Sequence, residues 1–162
     1  MYVACLMAGR SSRLLPRTKR QHKAMLKVGE SRIIDAQMKT FAIAGIDTFS
    51  FVVGHGGVRL ANHLLKNYSN LGISIVNNNY FELRNLDWSA YLALSSRSGD
   101  VIYYEGDIIA SPGVIQELAK HRGDVCIAMD PVGQSARIER RIVTGVGTGG
   151  RRAQAFVHDP LR

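Results

Sequence analysis

Five short runs rich in β-branched and aromatic residues recur along the first 129 positions: Tyr2–Leu6, Thr48–Val53, Ile73–Val76, Val101–Tyr104 and Val125–Met129. The first and last are continuous apolar segments rather than alternating ones, the pattern of strands covered on both faces. Helical patterns lie between them. Ile33, Ile34, Gln37, Met38, Phe41 and Ala44 recur at 3.6-residue spacing, and Gly45 follows as a C-terminal cap. A second helix is predicted from near Val58 to Tyr68, carrying Leu60, Ala61, Leu64 and Leu65, and a third from Trp88 or Ser89, carrying Tyr91, Leu92 and Leu94. The fourth has a defined start, with Ser111 as N-cap and Pro112 at the first helical position, followed by Val114, Ile115 and Leu118 on one face.

This alternation predicts an α/β fold, a mostly parallel sheet with helices on both sides built through right-handed crossovers. Ligands of such sheets bind outside the carboxyl ends of the strands, so chemistry is expected in the loops after Leu6, Val53, Val76 and Tyr104. The segment from Gln134 to Arg162 is different. It is rich in Arg and Gly, and its run Gly145–Gly150 has neither helical nor strand period.

A chain of 162 residues with 46% hydrophobic and 21% charged positions and only four prolines has the composition of one globular domain, which excludes a collagen-like repeat and a coiled coil. No apolar run approaches the ~18 residues that span a bilayer, and no basic region precedes the apolar start, so the expectation is a soluble, cytoplasmic protein without membrane contact. Cys5 and Cys126 each lie in an apolar segment and form no C-x-x-C pair, as buried reduced thiols do.

The net charge of +8 is unevenly placed. Residues 1–27 hold seven basic side chains (Arg10, Arg13, Arg17, Lys19, Arg20, Lys23 and Lys27) and no acid, residues 28–133 carry a net −3, and residues 134–162 a net +4. Positive charge confined to one short loop suits a compact polyanion such as a nucleoside triphosphate. A nucleic-acid duplex needs a wide basic face, and the slightly acidic body argues against that partner.

The basic loop is the most informative segment. Leaving the first strand, the small residues Ala8, Gly9, Ser11 and Ser12 let the backbone approach a ligand with its N–H groups toward phosphate oxygens, and Arg13 and Lys23 place positive charge on either side. Neither G-x-x-x-x-G-K-[ST] nor G-x-G-x-x-G is present at this strand end. The segment resembles the signature of the nucleotidyltransferases that activate sugar phosphates and phosphocholine, roughly L-A-A-G-x-G-[ST]-R-L-x-P-x-T followed by P-K. Leu6, Ala8, Gly9, Ser12, Arg13, Leu14, Pro16, Thr18, Lys23 and Leu26 fall on that pattern. Two positions depart from it: Ser11 stands at the usual second Gly, a change the similar molybdopterin-guanylyl loops share, and His22 stands at the usual Pro. Further along, Val28–Asp35, Ala44–Asp47, Asn77–Tyr80 with Asn85 and Ser89, and Tyr104–Asp107 resemble later stretches of the same family.

The resemblance implies a three-layer, Rossmann-like nucleotidyltransferase domain over residues 1–133, the nucleotide-binding part, followed by the irregular tail at 134–162. It implies transfer of a nucleoside monophosphate from CTP, UTP, dTTP or GTP to a phosphorylated small molecule, with release of pyrophosphate, as in the making of cell-surface polysaccharide precursors. The implied roles are catalytic for Arg13 and Lys23, nucleotide-binding for Leu6, Ala8, Gly9, Arg10, Ser11, Ser12 and Asn77, and Mg²⁺-binding for Asp107. A carboxylate at the end of a buried strand is itself expensive unless paired or bound to a cation. The competing reading, a shortened or degenerate relative that binds nucleotide without catalysis, draws on the Ser11 and His22 departures and on the tail. The Gly54–Gly57 run follows the second strand and is expected to be a turn, while Trp88 is expected to be core or to stack on a ligand.

Overall fold

The computed structural model describes residues 1–83, 86–121, 125–129, 143–146 and 153–157. Its core is a parallel sheet formed by β1 (Tyr2–Met7), β4 (Thr48–Val53), β5 (Gly72–Asn77) and β6 (Val101–Glu105), in the order β5-β4-β1-β6. A small hairpin of β2 (Lys27–Val28) and β3 (Ser31–Arg32) leads into α1 (Ile33–Ile43). The remaining helices are α2 (Gly57–Asn67), α3 (Leu86–Ser95) and α4 (Pro112–Lys120). Ser111 takes the N-cap position of α4 without a side-chain cap bond, and α3 begins two residues before Trp88.

Alternation along the strands builds three layers. Val3, Cys5 and Met7 of β1 share one face with Phe49, Phe51 and Val53 of β4 and with Ile102 and Tyr104 of β6, and this face is covered by α1, α2 and α4. Phe41 of α1 meets Phe49 and Tyr104 edge-on, with ring centroids 5.4 and 4.9 Å apart. Burying side chains of this size stabilises by about 1.5–3 kcal/mol each. Tyr2, Ala4 and Leu6 point the other way and pack with Val52, Val101 and Ala93 of α3. Because β1 is buried on both faces, it reads as an unbroken apolar run. Cys5 and Cys126 are both buried and free, and burial pushes the Cys5 thiol pKa up. No helix among the described residues is long and apolar enough to cross a membrane.

From β1 the chain steps outward to β4 and β5, then returns across the sheet to place β6 on the other side of β1. The strand order therefore reverses between β1 and β6, and the crevice outside their carboxyl ends is the position where open α/β sheets bind ligands.

Beyond β6 lie three more strands: β7 (Val125–Met129), β8 (Val143–Val146) antiparallel to both β6 and β7, and β9 (Ala153–Val157) parallel to β7. Strands β8 and β9 fall inside the stretch whose composition reads as an irregular tail. Strand pairing is a backbone interaction, and a short strand needs no periodic apolar pattern to hydrogen-bond to a neighbour already in place.

Outside the crevice, Asp35 ties α1 to α2. Its Oδ1 accepts hydrogen bonds from His63 Nε2 at 2.6 Å and from the Tyr68 hydroxyl at 2.9 Å, and Arg32 stands 3.7 Å from Oδ2. Burial alone would raise the Asp35 pKa, but these hydrogen bonds and positive charges outweigh it and hold the carboxyl below the usual range. The native value lies under the 3.8 of an unperturbed Asp, so the stability it contributes is full above that pH and is lost as pH falls through the native value. Asp35→Asn is expected to lower unfolding free energy by about 1–2 kcal/mol at pH 7, with the gap closing at pH 3 in paired denaturant titrations.

Candidate active site

The first loop is clamped in place by the rest of the fold. Leu6 and Ala8 are buried, and their carbonyls accept hydrogen bonds from the N–H groups of Gly106 and His55, at 3.2 and 3.0 Å. Gly9 is exposed, with open space where a Cβ would stand. Ser11 adopts a left-handed conformation, φ 52° and ψ 44°, and the chain then turns through a 3₁₀ segment at Ser12–Leu14. Fully buried Thr18 fastens this turn: its hydroxyl donates to the Ser11 carbonyl at 3.0 Å, and its own carbonyl accepts from His55 Nε2 at 2.6 Å.

Two glycines of the β4–α2 turn allow that clamp to close. A Cβ on Gly54 would lie 2.7 Å from the Ala8 carbonyl oxygen, and one on Gly56 would run into the His22 backbone nitrogen. Gly56 also has φ +68°, open to glycine without strain. The Gly54–Gly57 run is therefore the turn expected of it, and its work is to hold the first loop.

Lys23 and Asp107 meet at the crevice. Lys23 opens a short 3₁₀ turn, Lys23–Met25, whose Ala24 and Met25 are buried, and Asp107 follows β6 directly after Gly106. Their side chains form an ion pair, Nζ to Oδ2, at 2.9 Å. His22, next to Lys23 and with its ring close to Gly106, is 1% exposed, and its Nδ1 accepts the Ala24 N–H at 3.2 Å. Burial, and after it the positive charge of Lys23, push the His22 pKa down to about 3 against the opposing pull of Asp107, so the imidazole is neutral. With Nδ1 accepting, the proton resides on Nε2, which is buried without a partner.

The turn that carries Asp107 is itself fixed. The Tyr104 hydroxyl donates to the Ile108 carbonyl at 2.7 Å and accepts the Ala110 N–H at 3.2 Å. From α1, Gln37 Nε2 donates to the Ile108 carbonyl at 2.7 Å, and the Thr40 hydroxyl donates to the Ala110 carbonyl at 3.3 Å.

Other expected site residues are more dispersed. Arg13 is exposed on the 3₁₀ turn, and Arg10 reaches Glu82 at 3.5 Å across the surface. Ser12 is exposed beside Arg13, and the Ser11 hydroxyl is buried without a partner. Asn77 is exposed at the end of β5, two strands away from β1. Its neighbour Asn78 is the buried one, donating to the Ser89 hydroxyl at 2.9 Å and accepting the Tyr80 N–H at 2.9 Å, which ties the loop after β5 to α3. Trp88 is half-buried and stacks on exposed Tyr91 with centroids 5.2 Å apart. Sequence reasoning missed the supporting roles of His22, Gln37, Thr40, His55 and Asn78. A signal existed for Gln37, a polar residue set in the apolar stripe of a helix.

A family described as nucleotidyl transferase matches residues 3–122. The chain belongs to this nucleotidyl transferase family. The CTP:phosphoglutamine cytidylyltransferase of Campylobacter jejuni is 28% identical over 139 residues, 80% of this chain and 53% of that protein. Two solved structures share the fold: a UDP-glucose pyrophosphorylase complexed with UDP-glucose, with TM-score 0.69, 18% identity and 82% of this chain on 57% of that one, and the inositol-1-phosphate CTP transferase of T. maritima, with TM-score 0.67, 20% identity and 80% on 53%. The chain thus spans about half the length of the curated nucleotidyl transferase it matches.

Two backbone predictions follow for this nucleotidyl transferase loop. Ser11→Gly removes a left-handed L-residue and an unpartnered hydroxyl, and it is expected to raise the unfolding free energy by about 1 kcal/mol after the added unfolded-state entropy is deducted; a lower unfolding free energy in denaturant titrations would show that the serine is not strained. Gly56→Ala drives a methyl into the Gln21–His22 backbone and is expected to destabilise by about 2 kcal/mol or more, with the largest gain in amide exchange over residues 18–25.

Proposed function

We propose that the chain carries the nucleotide-binding and phosphoryl-handling centre of an enzyme that transfers a nucleoside monophosphate from an NTP to a phosphorylated small molecule, with release of pyrophosphate. The observation that carries this reading is the Lys23–Asp107 pair at the β1–β6 crevice, together with the open backbone at Gly9 after β1. The acceptor phosphate is already an anion, so its oxygen attacks the α-phosphorus in line without a general base, and the bond to the pyrophosphate oxygen breaks. The protein's contribution is then positioning and charge neutralisation. In this reading exposed Arg13 follows the β- and γ-phosphates, and Lys23 stabilises charge developing at the α-phosphate. The backbone from Ala8 to Ser12 cradles the nucleotide, with the Asn78–Ser89 bond shaping the loop near Asn77.

Mg²⁺ fits this centre as a shared ion. Among the described residues no group of three or more His, Cys, Asp or Glu could form an all-protein cage. A single carboxylate at the mouth of a phosphate cradle is the donor set Mg²⁺ uses with phosphate oxygens and water. Asp107 would hold it, and when bound it neutralises phosphate charge.

The test is a pyrophosphate-release screen of CTP, UTP, dTTP and GTP against sugar 1-phosphates, phosphocholine and phosphorylated amides, run beside nucleotide binding. Wild type should release pyrophosphate only with both substrates present. Lys23→Ala should lower kcat by about 10²-fold or more while weakening nucleotide Kd by no more than about tenfold, because its charge acts more strongly in the transition state than in the bound ground state. Binding of nucleotide with no release from any pair would favour the non-catalytic reading.

A further inference from the structure

We propose that Lys23 is the internal counter-ion of Asp107 and gives up the carboxylate to a divalent cation when a triphosphate arrives, so that one movement of a lysine side chain opens the cation site and charges the phosphate site. The inference rests on reading Asp107 as the residue that holds the cation.

The 2.9 Å contact places the Lys23 ammonium on Oδ2 of Asp107, with the two side chains 22% and 29% exposed. A divalent cation on the same carboxylate would stand within a few ångströms of the ammonium, and in this half-buried setting the repulsion excludes stable double occupancy. The two ends differ in freedom. Asp107 rides on a turn held by Gly106 against β1 and by Tyr104 and Gln37 through Ile108. Lys23 has a fixed backbone, through buried Ala24 and Met25, but a flexible four-carbon stem that can swing while Asp107 stays. Charge then decides the direction. The charges of Lys23 and Asp107 sum to zero while they are paired. A triphosphate offers the ammonium several anionic oxygens, and the vacated carboxylate is left beside the phosphates for the cation.

The exchange has two opposite signatures, both measurable without turnover. In the nucleotide-free protein, Mn²⁺ binding followed by electron paramagnetic resonance should be about three- to tenfold tighter in Lys23→Met than in wild type, the range expected for loss of a partly exposed ion-pair competitor. Conversely, Asp107→Asn should bind inorganic tripolyphosphate in the absence of metal about three- to tenfold tighter than wild type, because its lysine is already released. Lys23→Gln, checked by thermal melting, replaces the methionine variant if that fails to fold. Mn²⁺ binding in Lys23→Met that is unchanged or weaker, alongside lost binding in Asp107→Asn, would overturn the exchange while leaving Asp107 as the cation holder. Wild-type Mn²⁺ binding in Asp107→Asn would overturn both the metal assignment and the exchange.

Discussion

Everything at the candidate active site depends on how closely the end of β6 packs against β1. The Gly106 N–H bonds to the Leu6 carbonyl, and a Cβ at Gly106 would stand 3.0 Å from Met7 Cγ, 3.1 Å from the Leu6 oxygen and 3.2 Å from His22 Cε1. Three separate pieces of chain therefore converge on one hydrogen atom: the end of β1, the turn before Lys23 and the start of the Asp107 loop. Any side chain at 106 would push them apart. The 2.9 Å contact between Lys23 and Asp107 is a consequence of that close approach, since neither side chain's own element sets the distance.

The cost of holding such a turn is met by polar side chains placed where apolar ones would pack better. Gln37 and Thr40 lie on the buried face of α1, and burying an amide or hydroxyl is unfavourable unless it is hydrogen-bonded. Both donate to carbonyls of the loop that follows Asp107. Helix α1 thus packs its Ile34, Met38 and Phe41 into the core while the same face orients the carboxylate loop. On the opposite side of the crevice, His55 and two glycines do the equivalent for the first loop. The result is a rigid frame whose mobile parts are the exposed arginines and the stem of Lys23.

Much of this was legible in the sequence because it follows from local rules. Strands buried on both faces declare themselves as unbroken apolar runs, as at Tyr2–Leu6, and the limits of α1 are marked by apolar spacing and by Gly45, whose φ of +77° is a glycine conformation. The loop pattern singled out Lys23 and Asp107 separately, and the strand order brings them together. What was not legible depends on contacts across long sequence separations. Nothing near His55 says that its ring will reach Thr18, 37 residues earlier, and nothing near Asn78 distinguishes it from Asn77 until the Ser89 hydroxyl is found beside it. Strands β8 and β9 were missed for another reason: their pairing partners are supplied by the sheet, and composition carries no trace of it.

The two departures from the family's loop pattern acquire a common physical meaning in the structure. Ser11 sits at φ 52°, where the family's usual glycine would be free of strain, and His22 sits at φ −66°, the value to which the usual proline is locked. Both substitutions therefore keep the backbone path while giving up the residue that adopts it most easily. Both also add a buried polar atom without a partner, the Ser11 hydroxyl and the His22 Nε2–H. Such groups destabilise a fold by about 1–3 kcal/mol each. The first loop consequently holds its shape through Thr18, His55 and the glycines of the β4–α2 turn, and little through its own conformational preferences. A weakness in that clamp would reach Lys23 before it reached the core, because the ion pair at the crevice is positioned by the loop while the aromatic contacts of Phe41 are not.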